Sequence, residues 1–222
     1  MSKRTALAAL AAAALLASCA AGVAAPIKPA PCGCGWVNLF NDRDLSGWHV
    51  RHEDARNGWF VKYGWLINTM PSTDLISDTL MGDHQLHVEF RVPKGGNSGV
   101  YLQGRYEIQV HDSYGGDLHA GMCGAIYSKV VPKKNACRPA NRWQSFDVTF
   151  RQARLDANGK VVKKARVTVY QNGELIIDNA EIDGVTGSAL DDKEGQPGPL
   201  YLQGDHTAVE YRHIRYRPLG PE

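Results

Sequence analysis

Apolar and polar residues alternate with a period of two through much of the chain beyond residue 35. Leu86, Val88, Phe90 and Val92 alternate with His87, Glu89 and Arg91 until Pro93 interrupts the run. Phe146, Val148 and Phe150 alternate with Ser145, Asp147 and Thr149, and Tyr106, Ile108 and Val110 with Glu107, Gln109 and His111. Side chains two apart on a strand share a face, so each run predicts a strand with one apolar side. Residues 36–40, 59–61, 65–67, 161–162, 200–203 and 209–216 read as further strands, with a turn near Gly64. Residues 165–170 and 174–178 flank Asn172-Gly173, a strong hairpin signal. Helical periodicity is absent outside the first eighteen residues. A dozen or so short strands with regularly spaced turns predict an all-β sandwich or barrel. Binding is expected on the loops at 69–85, 112–123, 128–142 and 183–198, carried by a stiff sheet.

The N-terminus departs from this pattern. Lys3 and Arg4 precede an Ala/Leu run over 6–17, which is too short to span a bilayer and has the size of an export-signal core. Leu16-Ala17-Ser18-Cys19 matches a bacterial lipobox, predicting a lipoprotein signal over 1–18 and lipidation of Cys19. The alternative is ordinary cleavage after Ala24 or Ala25. Residues 19–35, rich in Ala, Gly and Pro, read as a tether, and 36–219 as a single domain. The expected location is the bacterial cell envelope, periplasm or outer membrane, held by the lipid, or else secretion. Membrane contact is expected only through that anchor.

The chain of 222 residues carries 25 Lys+Arg and 23 Asp+Glu. Loss of Lys3 and Arg4 leaves the exported protein formally neutral, and with no basic stretch suited to it, nucleic acid is not an expected partner. Cysteine use fits an oxidising compartment. With Cys19 lipidated four cysteines remain, and Cys123 and Cys137 flank a loop-like segment between two predicted strands, which predicts a disulfide between them. Cys32-Gly33-Cys34 has no second ligand pair for zinc, and its role is undecided.

Candidate chemistry concentrates in 95–113. As a strand, 106–111 aligns Glu107, Gln109 and His111 on one face, flanked by Arg105 and Asp112. Tyr-Leu-Gln-Gly occurs at 101–104 and again at 201–204. Parity puts Tyr101 and Gln103 on one face, and a ring beside an amide suits a sugar's apolar C–H faces and hydroxyls.

Several phrases occur in one order: L-F-N-D-R-D-L-S-G-W (39–48), F-R-V-P-K-G-G-N-S-G-V-Y-L-Q-G-R-Y-E-I-Q-V-H-D-S-Y-G (90–115), G-A-I-Y (124–127), N-A-C-R-P-A-N-R-W-Q-S-F-D-V-T-F (135–150), A-R-V-T-V-Y-Q-N-G (165–173) and G-P-L-Y-L-Q-G-D-H (198–206). With them the chain resembles the domain of unknown function 1080, or 3-keto-disaccharide hydrolase domain, over about 36–219. That resemblance implies a concanavalin A-like jelly-roll β-sandwich and a secreted, carbohydrate-directed hydrolase. It also implies two concave-face strands presenting Tyr101/Gln103 and Tyr201/Gln203 alike.

The run 107–112 is similar to the E-x-D-x-x-E strand of concanavalin-fold β-glucanases, but Gln109 replaces the middle acid and Asp112 is shorter than Glu. Without a bulge, 107 and 112 also fall on opposite faces. Two carboxyls at the spacing of an ordinary glycosidase are therefore not expected. Cleavage of a 3-keto-glycoside asks for less. The C3 carbonyl acidifies the C2 hydrogen, the aglycone leaves from C1 by elimination, and water adds back. This needs a base, an acid and donors or a metal at the C3 oxygen. Glu107 or His111 is the candidate base, Asp112 or His111 the acid, and Arg105 the enolate stabiliser. Tyr101, Gln103, Gln109, Tyr127, Gln203 and His206 are candidate wall residues. No cofactor is expected; a divalent metal is the alternative, for which Glu107, His111, Asp112, His119 and His206 could offer ligands, though no short ligand spacing supports it. The competing expectation is a lectin-like binding module on the same fold.

Overall fold

The computed structural model describes residues 35–69 and 72–220, in which fifteen strands and no helix form. The signal segment, Cys19, Cys32 and Cys34 lie outside the described residues. The larger sheet has eight strands. Seven run in the order β13 (Glu174–Ile182), β12 (Ala165–Gln171), β9 (Gln144–Arg151), β6 (His84–Arg91), β15 (Val209–Pro218), β4 (Trp65–Asn68) and β3 (Trp59–Lys62). The eighth, β1 (Val37–Asn38), pairs with the end of β15. The smaller sheet runs β2 (Trp48–Val50), β5 (Leu75–Met81), β14 (Gly198–Leu202), β7 (Asn97–Leu102) and β8 (Tyr106–His111). A two-stranded ribbon, β10 (Arg154–Leu155) with β11 (Val161–Lys163), stands apart.

The alternating runs build the core as their period requires. Leu86, Val88 and Phe90 from β6 join Val100, Ile108 and Leu200 from the smaller sheet in one buried cluster. Tyr106 of β8 meets Phe150 of β9 across the sandwich, with ring centroids 5.3 Å apart. Each such side chain contributes about 1.5–3 kcal/mol on burial. The expected all-β jelly-roll-like sandwich is the fold observed. Asn172 and Gly173 take φ of 53° and 84°, the left-handed pair of a tight hairpin between β12 and β13.

The strand expectations miss in two places. The stretch 69–85, read as a loop, contains β5 and the start of β6. Leu75, Ile76 and Ser77 are all buried, so no polar–apolar alternation marks β5. Residues 36–40 shorten to β1, and the Leu39 and Phe40 N–H groups both donate to the Ile214 carbonyl instead.

The predicted disulfide is not formed. Cys123 and Cys137 are both buried free thiols, and the Gln171 amide donates to each sulfur at 3.4 Å. Burial pushes the Cys123 thiol well up, which keeps it protonated.

Candidate functional site

The polar row of β8 faces away from the core but does not face water. Glu107 and Gln109 are only 4% and 5% exposed. The cover comes from two distant loops. Residues 124–127 pair with the free edge of β8: Gln109 N–H donates to Ala125 O, Gly124 N–H to Gln109 O, and Tyr127 N–H to Glu107 O. Further along the same edge, Thr186 accepts the Glu107 N–H with its hydroxyl and donates its own N–H to Arg105 O. An edge strand left open would be a pairing hazard; here its cover also forms a pocket. Asn97, Tyr101, Glu107, Gln109, Tyr127, Gly187, Ser188, Gln203 and His206 line this hollow of about 110 Å³.

Glu107 is its chemical centre. Tyr101 hydroxyl donates to Glu107 Oε2 at 2.9 Å, while Oε1 accepts no hydrogen bond among the described residues. Burial pushes the Glu107 carboxyl up from 4.5 to about 7, with the Tyr101 hydrogen bond and His206 pulling it back. Gly99, across the ladder on β7, is what makes room. A Cβ there would stand 2.4 Å from Glu107 Oε1. Gln109 spends its side-chain oxygen on the Val110 N–H, which leaves its NH2 for a ligand. Asn97 Oδ1 is buried with no partner, an acceptor that a sugar hydroxyl would satisfy. His206 Nδ1 lies 2.5 Å from Asp205 Oδ1, which orients the ring.

Beneath the pocket the two Tyr-Leu-Gln-Gly segments run side by side, with Tyr101 and Tyr201 in register. Their rings stack with centroids 4.1 Å apart and 14° between planes. Tyr201 hydroxyl donates to Asp74 Oδ2 at 2.9 Å. Burial and the neighbouring carboxylates push both phenols far up, so each stays a donor.

Of the expected residues, Tyr101, Glu107, Gln109, Tyr127, Gln203 and His206 come together; Gln103, Arg105, His111 and Asp112 do not line the pocket. Strand β7 ends at Leu102, and Gln103 takes φ of 53°, so parity fails. Its amide donates to Met81 O and Gln152 Oε1 instead. Arg105 turns to Asp191, with Nε 2.5 Å from Oδ1, and to Gln196 O, so it braces the 183–197 loop and cannot reach an enolate in the pocket. Asp112 follows β8, and the β7–β8 register has no bulge to bring it round. Its Oδ2 caps the Gly95 N–H at 2.9 Å. His111 closes the strand with Nδ1 3.0 Å from Ser113 Oγ. The expected convergence of Glu107, His111 and Asp112 therefore does not occur. Among the described residues no group of three His, Cys, Asp or Glu stands ready to hold a metal ion. Asn97 lies within the candidate stretch 95–113 but is not among the residues its pattern marks, and Ser188 and Asp74 carry no signal in the sequence beyond their polar type.

An antiparallel sandwich with an amide- and carboxylate-lined pocket on its smaller sheet is the architecture of a carbohydrate-active protein. Residues 35–217 match the model of the 3-keto-alpha-glucoside-1,2-lyase-like domain, and the chain belongs to that family. Among solved structures, a glycosyl-hydrolase candidate from Parabacteroides distasonis is 30% identical, with 83% of this chain and 84% of that one covered and a TM-score of 0.73. A second from the same organism is 20% identical over 84% and 94%, with a TM-score of 0.63. The alginate lyase Aly36B, 10% identical over 84% and 97% with a TM-score of 0.50, shares the fold. No curated protein matches the chain.

Proposed function

We propose that this protein cleaves 3-keto-glycosides by eliminating the aglycone, with Glu107 as the base. The observation that carries the reading is the state of Glu107: a buried carboxyl raised to about 7, one oxygen held by Tyr101 and the other unbonded in the pocket. A base poised near neutrality suits abstraction of an acidified C–H. Glu107 Oε1 takes the C2 proton of the 3-keto ring. The C2–H electron pair forms the C2=C3 bond of an enolate with its charge on the C3 oxygen. Collapse of that enolate restores the carbonyl and forms the C1=C2 bond as the C1–O bond breaks. The leaving oxygen needs a proton, and we assign its delivery to His206, a pocket imidazole held by Asp205. The Gln109 NH2 and the amides of Asn97 and Gln203 are donors available to the C3 oxygen as charge develops there. Water added to the resulting enone completes hydrolysis. The family's lyase name supports the elimination half.

Incubation with 3-keto-trehalose or a 3-keto-glucoside, beside the unoxidised sugar, tests this. Free sugar is expected only from the keto form, with deuterium entering C2 in heavy water. Equal cleavage of both sugars rejects the enolate route. Tight binding without release makes the domain a lectin-like module. The reading places the protein in the cell envelope through Cys19, so Cys19→Ser should shift it from the membrane fraction to the soluble one.

A further inference from the structure

The repeated Tyr-Leu-Gln-Gly has an asymmetry that the proposed chemistry leaves unused. The first copy supplies Tyr101 to Glu107, and the second supplies Tyr201 to another buried carboxylate, Asp74, which is 5% exposed. Asp74 does not line the pocket, yet it touches both of its sides. Its Oδ2 accepts from Tyr201 hydroxyl, whose ring lies flat against Tyr101, the residue that holds Glu107. Its Oδ1 accepts the Gly204 N–H at 2.9 Å, two residues before His206. Arg51 Nη1 stands 3.3 Å from Asp74 Oδ2, from Tyr201 hydroxyl and from Ser188 O, so the same ion pair also ties down the Gly187–Ser188 wall.

We propose that Asp74 is the positioning residue of this site, fixing the base through the stacked tyrosines and the imidazole through Gly204. This rests on the function proposed above. Three bonded partners for a carboxylate with so little exposure match what burial of a charge demands. Each of the three leads to a different pocket wall. Core stability alone needs only that the charge be paired; it does not require the partners to converge on one hollow. Asp74 also faces Glu107 as a like charge across the tyrosine pair and opposes its ionisation.

Asp74→Asn is the test, because asparagine keeps an acceptor for Tyr201 while losing the charge and the second acceptor. In the full chain without substrate, the Glu107 carboxyl followed by carbon NMR should titrate at lower pH than in the wild type. With a 3-keto-glucoside, kcat should fall about tenfold or more, as misplaced catalytic groups do, while KM stays within about threefold. Tyr201→Phe keeps the ring stack and removes the hydroxyl's bonds to Asp74 and Arg51. It should lower kcat in the same way, and combined with Asp74→Ala, which removes the acceptor, the double variant should be no worse than Asp74→Ala alone. An unmoved Glu107 titration overturns the proposal, as do multiplying effects in the double variant. If the titration moves while the wild type turns over no 3-keto-sugar, the coupling of Asp74 to Glu107 stands and the proposed function fails.

Discussion

The outer faces of the two sheets each present a glutamate, Glu107 on β8 and Glu89 on β6, and their surroundings drive them in opposite directions. Glu89 keeps contact with solvent and is bonded by Arg212 Nε at 2.6 Å and His213 Nδ1 at 3.0 Å. Burial raises its carboxyl, but those two bonds outweigh it and hold the group below its ordinary range. Glu107 lies under two loops with a neutral hydroxyl as its hydrogen-bond partner, and burial wins. Around Glu89 the larger sheet is clad in matched pairs: His87 lies 2.6 Å from Asp147, and Arg91, bonded to Glu210, sits over the rings of Trp65 and Trp143. The smaller sheet instead leaves Glu107 Oε1 and Asn97 Oδ1 without partners. The larger sheet has unpartnered atoms of its own, such as Arg166 Nε, but its glutamate is ion-paired; a buried carboxylate left with a free oxygen beside an unpartnered amide is prepared for a ligand.

The sharpest way to break this contrast is Glu107→Gln, which keeps size and hydrogen-bonding reach but removes the base. Turnover of a 3-keto-glycoside should drop by roughly 10²–10⁴-fold, with ligand affinity by calorimetry little changed. The same change at Glu89 should leave turnover as it was, and a comparable loss there would erase the distinction.

Stability against pH should separate the two faces next. The Glu107 carboxyl rises from 4.5 to about 7 on folding, so ionising it costs about 3 kcal/mol at 1.36 kcal/mol per pKa unit. The unfolded chain gives up that proton first, so the cost is absent below about 4.5 and complete above about 7. Glu107→Gln should therefore gain up to that amount at pH 8 in urea titrations and nothing at pH 4. Equal gains at both pH values would mean that the burial of the charge is not the cause.

Gly99→Ala probes the space that admits the carboxylate. With a methyl group 2.4 Å from Glu107 Oε1, about 1–3 kcal/mol of stability should be lost to overpacking. In Glu107→Ala the same glycine substitution should cost much less, and an undiminished cost would place the clash elsewhere.

Glu89→Gln should show the smallest effect, with the opposite sign to Glu107→Gln. Its folded carboxyl is depressed, so its contribution is present above its unfolded pKa and lost as pH falls through the folded value. About 1 kcal/mol should disappear at pH 7 and little at low pH, given that the pair is only partly shielded from water. A stabilised Glu89→Gln at pH 7 would show that the two faces do not differ as described.

Local pattern was enough for the sandwich. The runs 86–92, 106–111 and 146–150 alternate because one side of each must meet the core, and Asn172-Gly173 turns because both residues tolerate positive φ. The pairing of Glu107 with Gln109 on one face, away from Ile108, followed from the same period. Strand β5 escaped because it is buried for three residues running, where alternation has nothing to report.

Which polar residues of 95–113 become a site was decided by tertiary contacts that no local period encodes. Arg105, which shares the parity of Glu107, is claimed by Asp191, and Asp112 by the turn at Gly95. Glu107 titrates near neutrality because segments such as 124–127 and 186–188 bury it, and Asp74 entered the site through Tyr201 and Gly204, both more than a hundred residues away, and through Arg51. Sequence determines the face on which a side chain emerges, since that depends on the residue's own backbone. Its solvation and its partners depend on segments brought alongside by the fold, and those two quantities set a pKa.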